Sequence, residues 1–227
     1  MKQFTLDSFL SVVVSMIPER AIGRLSLYRR ILDQVLDQGR LYIFSHELAK
    51  LSGNKPAQVR RDLMVVGCSG CASRGYDVQD LSKAIDASLD GPDKQRIALV
   101  GVGNLGRAVL HYFFGRRKQL EVAAAFDRNP DKVNRVLHGC RVYRVEDLDD
   151  VIRREGIQLG VITVPGSEAQ GIADLLVQGG VSGILNFAPV PLRVPPGVFV
   201  EDIDITMAIE KVAYLTHEGI SRSEEEK

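Results

Sequence analysis

Tryptophan is absent from the 227 residues, cysteine occurs three times and histidine four times. Three thiols are too few for the disulfide framework of a small secreted scaffold. Cys68 and Cys71 form a C-x-x-C, but no second one accompanies it, so one chain lacks the ligands for a closed zinc site. No metal is expected. No apolar run reaches the ~20 residues of a membrane-spanning helix. Phe9 to Ile17 resembles a signal-peptide core only loosely, because Asp7 precedes it and Lys2 is the one upstream base. It reads instead as a helical lead-in or dimer contact, and a cytoplasmic protein without a membrane partner is expected. An excess of either charge is missing too, since 29 basic side chains balance 29 acidic ones.

What is present is the composition of a globular protein, 45% hydrophobic and 26% charged, long enough for one large or two small domains. The balanced charge hides an asymmetry. Residues 1–76 carry 11 Lys and Arg against 6 Asp and Glu, a net of +5, and the remainder carries −5. A basic half beside an acidic half points to different partners, with nucleic acid the natural one for the basic half.

The run from Arg96 to Phe113 carries the strongest chemical signal. Ile97 to Val100 reads as a buried strand, Gly101-Val102-Gly103-Asn104-Leu105-Gly106 fits G-x-G-x-x-G, and a helical pattern follows at once. Gly101 allows the tight turn, Gly103 lets a pyrophosphate approach the backbone, and Gly106 lets the helix pack on the strand. The helix N-terminus offers unpaired N–H groups to phosphate. Asp127, closing the next apolar strand, suits the adenosine ribose hydroxyls and favours NAD(H), although Arg128 beside it is a residue type that accommodates a 2′-phosphate. From Gln95 onward strands alternate with helical stretches: 120–126, 139–145, 157–165, 182–187 and 198–203, with helices near 147–155 and 169–178. That alternation predicts an α/β, doubly wound, mostly parallel sheet. A final helix from Ile205 to Glu218 has an apolar stripe suited to a neighbouring subunit.

The N-terminal part predicts a winged helix-turn-helix. Ile22, Leu25, Tyr28, Ile31, Leu32 and Val35 recur at helical spacing after Pro18. Ser45 suits the N-cap of a short helix that Gly53 ends, and Pro56 opens a third helix, PAQVRRDLM. On that helix Gln58, Arg60 and Arg61 are placed to reach base edges or phosphates. The expected division is a winged-helix domain over 1–78, a connecting helix over 79–94, a Rossmann domain over 95–203, a C-terminal helix over 204–219 and a disordered tail over 220–227.

Taken together, IPERAIGRLSLYRRIL, ELAKLSGNKPAQVRRDL, LVGVGNLGRAVLHY, AAAFDRNPDK and VITVPGSEAQGIADLLVQGGVSGILNFAPVPLRVP resemble the Rex family of redox-sensing transcriptional repressors. The resemblance covers nearly the whole chain. It implies a homodimer that exchanges its C-terminal helix, binds operator DNA when NADH is low and leaves it when NADH rises, with NAD(H) sensed rather than consumed. It implies DNA contacts from Lys55, Ala57, Gln58, Arg60, Arg61, Arg74 and Tyr76. The nucleotide would lie on residues Gly101 to Gly106, Asp127, Arg128, Val164 and Ala188, with Pro165, Asn186, Phe187 and Pro189 around the nicotinamide. Arg30, Tyr112 and Asp204 match positions that change contacts between the two states.

The chain departs from the family in the wing. Val65 and Val66 replace an aromatic pair and Ala72 stands where arginine is expected, which puts operator preference in doubt and leaves Arg74 for the minor groove. The same stretch creates Cys68-x-x-Cys71, open to three readings: small residues in a glycine-rich turn, a thiol switch, or half a metal site. Two other functions remain open. An NAD-dependent oxidoreductase would need a proton donor near the nicotinamide, and His111, His138 and Cys140 stand in no recognisable catalytic pattern. A nucleotide-binding interaction module without DNA affinity is the other.

Overall fold

The computed structural model describes residues 17–91, 93–113 and 119–225. Of the lead-in expected over residues 9–17, residues 9–16 lie outside them. The chain divides into two compact units, Met1–Pro92 and Asp93–Lys227.

The first unit contains helix α1 (Glu19–Asp37), strand β1 (Tyr42–Ile43), helices α2 (Ser45–Ser52) and α3 (Pro56–Val65), strand β2 (Tyr76–Asp77) and helix α4 (Val78–Leu89). The apolar stripe of α1 is buried at Leu25, Tyr28, Ile31, Leu32 and Val35, but Ile22 turns out to solvent. Gly53 ends α2 in the left-handed region, where a side chain is strained, and Pro56 opens α3 where its missing N–H costs nothing. β1 and β2 pair antiparallel, Tyr42 opposite Asp77 and Ile43 opposite Tyr76. The segment between α3 and β2 is therefore a wing, pinched where Cys71 and Gly75 exchange two 2.7 Å backbone hydrogen bonds.

Two local expectations shift. Phe44, not Ser45, is the N-cap of α2, and the Glu47 carboxylate accepts the Phe44 N–H at 2.8 Å from inside the first turn. The helix expected to connect two domains belongs to the first one. Val78, Leu81 and Ile85 of α4 are buried in the same core as Leu25 and Tyr28, and Asp77 caps it by accepting the Gln79 and Asp80 N–H groups.

The second unit runs β3 (Gln95–Val100), α5 (Asn104–Phe113), β4 (Leu120–Asp127), β5 (Val136–Leu137), β6 (Cys140–Arg144), a 3-10 turn (Val145–Asp147), α6 (Leu148–Glu155), β7 (Leu159–Ile162), α7 (Gly166–Gly179), β8 (Gly183–Asn186), β9 (Phe199–Asp202) and α8 (Ile205–Glu225). The seven-stranded sheet has the order β5-β6-β4-β3-β7-β8-β9 and is parallel except for β5. β3 is buried from Ile97 to Val100, as a central parallel strand covered on both faces must be. The chain winds from β3 outward to β4 and β6, then returns to β7 on the other side of β3. That reversal opens a crevice at the carboxyl ends of β3 and β7. β5 is unforeseen: it forms a hairpin with β6 through His138 and Gly139, both at positive φ.

α8 is capped by the preceding Asp204, whose carboxylate accepts the Met207 N–H at 2.9 Å. It was expected to end at 219 before a disordered tail, but it continues to Glu225, and only residues 226 and 227 of that tail lie outside the described residues. Nothing in SRSEE breaks a helix, so the turn simply propagates.

Candidate dinucleotide site and nucleic-acid interface

The glycine turn is built by steric necessity. Gly101 has φ near +100°, and a Cβ there would sit 2.7 Å from the Thr163 carbonyl oxygen. A Cβ on Gly106 would run into the Gly101 carbonyl oxygen, so only glycine lets α5 lie this close to β3. A Cβ on Gly103 would meet nothing within 4 Å. The first and third glycines are thus required by the protein itself, whereas the second leaves open space in front of the turn. Thr163, at the end of β7, locks the turn from the far side by donating its hydroxyl to the Gly101 carbonyl at 2.7 Å.

The turn faces a cavity of about 370 Å³ lined by Gly101, Gly103, Asp127, Arg128, Asn129, Lys132, Val145, Thr163, Val164, Pro165, Glu168 and Ile172. Asp127 closes it at the end of β4. Its carboxylate accepts the Val102 N–H at 2.8 Å, the Asn129 N–H at 2.8 Å and the Lys132 ammonium at 3.0 Å. Burial works to raise its pKa, but the Asn129 N–H, Lys132 and the Val102 N–H outweigh burial and hold the carboxyl below its usual range. Arg128 reaches across the cavity to Glu168 at the start of α7, 3.2 Å away. A polar floor at a helix N-terminus, with open backbone at Gly103 and an ionised carboxylate beyond it, has the donors and acceptors that a dinucleotide needs.

Of the expected nucleotide residues, the cavity joins Gly101, Gly103, Asp127, Arg128, Val164 and Pro165. Val102 is buried beneath the turn, Gly106 packs α5 on β3, and Asn104 and Leu105 are exposed on the first turn of α5. Asn186 is not in the cavity. It is fully buried and donates to the Ala188 and Val190 carbonyls and to the Asp202 carboxylate, at 3.3, 2.9 and 2.7 Å, while accepting the Ala188 N–H. Its amide shapes the loop that follows. Ala188 is buried in the core and Pro189 is exposed. Phe187 lines a separate apolar depression with Tyr112, Leu185 and Ile203. Lys132, Asn129, Thr163 and Glu168 escaped the sequence reading. Lys132, five residues past Asp127 across a turn, was the one with a usable signal.

In the first unit, Lys55, Ala57, Arg60 and Arg61 are exposed at the start of α3 and along it, and Arg74 is exposed in the wing, its guanidinium 5.8 Å from the Tyr42 ring centre. Tyr76 is half-buried on β2 against the core. Gln58 is engaged elsewhere. Its amide donates to Asp62 at 2.9 Å, joining Arg24 at 2.7 and 2.8 Å and the Tyr28 hydroxyl at 3.0 Å on the same buried carboxylate. That cluster fixes α3 on α1. Burial pushes the Asp62 pKa up, but Arg24, Gln58 and Tyr28 together hold it below the usual range. Of the remaining residues, Arg30 is exposed on α1, Tyr112 is half-exposed with its ring edge-on to Phe113, and Asp204 caps α8.

Comparison with known proteins agrees with both units. Residues 16–63 match the family model of a DNA-binding protein N-terminus, and residues 92–190 match that of a CoA binding domain. The chain is 40% identical to the redox-sensing transcriptional repressor Rex of Syntrophobacter fumaroxidans, over 87% of this chain and 95% of that one. It is 36% identical to Rex 1 of Enterococcus faecalis, over 93% and 98%. Among solved structures, RSP in complex with β-NAD+ and operator DNA superposes with a TM-score of 0.83 at 29% identity, covering 94% of this chain and 99% of that one. RSP with β-NADH gives 0.80 at 30% identity, covering 92% and 99%.

Proposed function

This chain belongs to the Rex family of redox-sensing transcriptional repressors, and we propose that it represses transcription by binding operator DNA and releases that DNA when NADH binds. The observation that carries the proposal is the pairing, in one chain, of a winged helix-turn-helix with a glycine turn whose cavity ends on an ionised aspartate. Lys55, Arg60 and Arg61 neutralise phosphates, Ala57 and Tyr76 complete the DNA-facing surface, and Arg74 takes the minor groove. Gln58 gives one amide N–H to Asp62, and its second N–H and carbonyl oxygen are the groups offered to a base.

The nucleotide lies on the N-terminus of α5, with its pyrophosphate over Gly103 and its adenosine ribose at Asp127. NADH supplies binding energy that differs between two arrangements of a homodimer, and no bond of it is broken. A ligand moves such an equilibrium only by that difference. Arg30, Tyr112 and Asp204 belong to the contacts that change. We read the nucleotide as sensed rather than used: His111, His138 and Cys140 stand in no recognisable catalytic pattern, and the relatives are named transcriptional repressors. The exposed apolar stripe of α8 supports exchange of that helix between subunits.

The test is a mobility-shift titration on a palindromic, A·T-containing duplex with and without NADH. NADH is expected to release the duplex and NAD+ to leave it bound. DNA affinity indifferent to NADH would refute the switch.

A further inference from the structure

The three cysteines occupy unlike surroundings. Cys140 is buried in the core of the second unit, and burial pushes its thiol up to about 12. Cys68 is half-buried at the base of the wing, held to α3 by its N–H to the Leu63 carbonyl at 2.9 Å and packed on the first unit's core. Cys71 is exposed, with its Sγ 3.2 Å from the Ser73 hydroxyl. The Ser73 hydroxyl and the backbone N–H groups of Ser73 and Arg74 bring its thiol down to about 7. One wing therefore holds an accessible thiol that is partly ionised at neutral pH and, three residues away, a shielded thiol fixed to the core.

A glycine precedes each of the two cysteines. Gly67 lies at φ +77° immediately before Cys68, and Gly70 packs under the Tyr76 ring immediately before Cys71. Residues 68–70 are irregular, with the Cys68 sulfur turned toward the Val66 carbonyl and the Cys71 sulfur toward Ser73, so the Cα separation of roughly 4.4–6.8 Å that a disulfide needs is reached by folding this short segment into a turn. Cys71 is also one end of the two-way bridge to Gly75, and Arg74 lies inside that bridge. Drawing Cys71 toward Cys68 must therefore disturb the position of Arg74.

We propose that Cys68 and Cys71 form a peroxide-reactive dithiol in the wing, whose disulfide displaces Arg74 and weakens DNA binding. The Cys71 thiolate attacks one oxygen of hydrogen peroxide; the O–O bond breaks, hydroxide leaves, and Cys71 becomes a sulfenic acid. The Cys68 sulfur then attacks the Cys71 sulfur, the S–S bond forms, and the hydroxyl departs as water with the Cys68 proton. Two electrons pass from the thiols to the peroxide, so two thiols and one peroxide yield one disulfide and two waters. The effect on DNA rests on the function proposed above, whereas the thiol chemistry does not.

The full-length protein is treated with hydrogen peroxide and examined by intact mass, peptide mapping and mobility shift. The wild type and Cys140→Ser should lose two hydrogens, with the link mapped to Cys68–Cys71 and reversed by dithiothreitol. Cys68→Ser should stop at a sulfenic acid on Cys71 that dimedone traps, and Cys71→Ser should stay reduced. A Cys71→Ser protein that oxidises as fast as wild type, or a crosslink between chains in place of the internal one, overturns the proposal. On DNA, peroxide should weaken the wild type severalfold and leave Cys71→Ser unmoved. Equal affinity of the oxidised and reduced wild type overturns the regulatory half. Reduced protein that never shifts the duplex would count against the DNA-binding reading, and the mass result would still decide the dithiol.

Discussion

Asp127 holds the fold together at the place proposed for the ribose. Its two oxygens are already met by two backbone N–H groups and one ammonium, so the carboxylate is in place before any ribose arrives. Replacing it with alanine strands the Val102 N–H beneath the turn, and unpaired buried donors cost about 1–3 kcal/mol. Asp127→Ala is therefore expected to lower stability in urea by about that amount, to abolish the NADH response and to spare DNA binding, as titration of both ligands would show. The glycines give a sharper contrast. Gly103→Ala should melt like wild type, because its methyl enters empty space, yet bind NADH more weakly, since the proposed pyrophosphate position fills that space. Gly106→Ala should lose on the order of 1–3 kcal/mol from overpacking against the Gly101 carbonyl, read from its denaturation midpoint. Equal behaviour of the two variants would contradict the division of roles.

At the scale of elements, the position of α3 depends on one buried carboxylate. Asp62 is held by Arg24 and Tyr28 from α1 and by Gln58 from its own helix. Deleting one partner of a buried ion pair costs about 3–5 kcal/mol, but the Arg24 side chain is 27% exposed and water takes up part of the loss. Asp62→Ala should then cost ~2–3 kcal/mol. Asp62→Asn should cost less, since an amide oxygen still accepts from Arg24. Because the folded pKa lies below the unfolded value of about 3.9, the contribution of this group is complete above that pH. It is lost as pH falls through the lower folded value. Wild type should therefore lose stability more steeply than Asp62→Asn on acidification below about pH 4, measured by urea midpoints across that range. The sequence shows Q-V-R-R-D-L as a helix with a polar face. That Gln58 and Asp62 look inward depends on Arg24, 38 residues away, and no local pattern reports it.

At the scale of the whole molecule, the charge asymmetry predicts how DNA binding responds to salt. Each phosphate neutralised contributes about −0.9 to the slope of log K against log salt, so Arg60→Ala in both subunits of a dimer should flatten that slope by about 2. A mobility-shift series in potassium chloride measures it. α8 makes a second prediction: Ile209, Val212 and Leu215 are each more than half exposed in a single chain. Aspartate at Ile209 and Val212 should turn a dimer into a monomer in sedimentation velocity and weaken operator binding with it. What the amino-acid order determined alone was whatever local sterics and periodicity control: the strand–glycine–helix turn, the alternation that makes a parallel sheet, and the first three helices, with the wing placed by the family resemblance. Tertiary structure decided which distant residues meet. Lys132 and Glu168 enter the cavity, Asn186 turns away from it to hold a loop, and α4 joins the first core instead of spanning a gap. The reason is physical. A glycine turn is dictated by clashes between atoms a few bonds apart, whereas a cavity wall is assembled by strands whose neighbours in space are far apart along the chain.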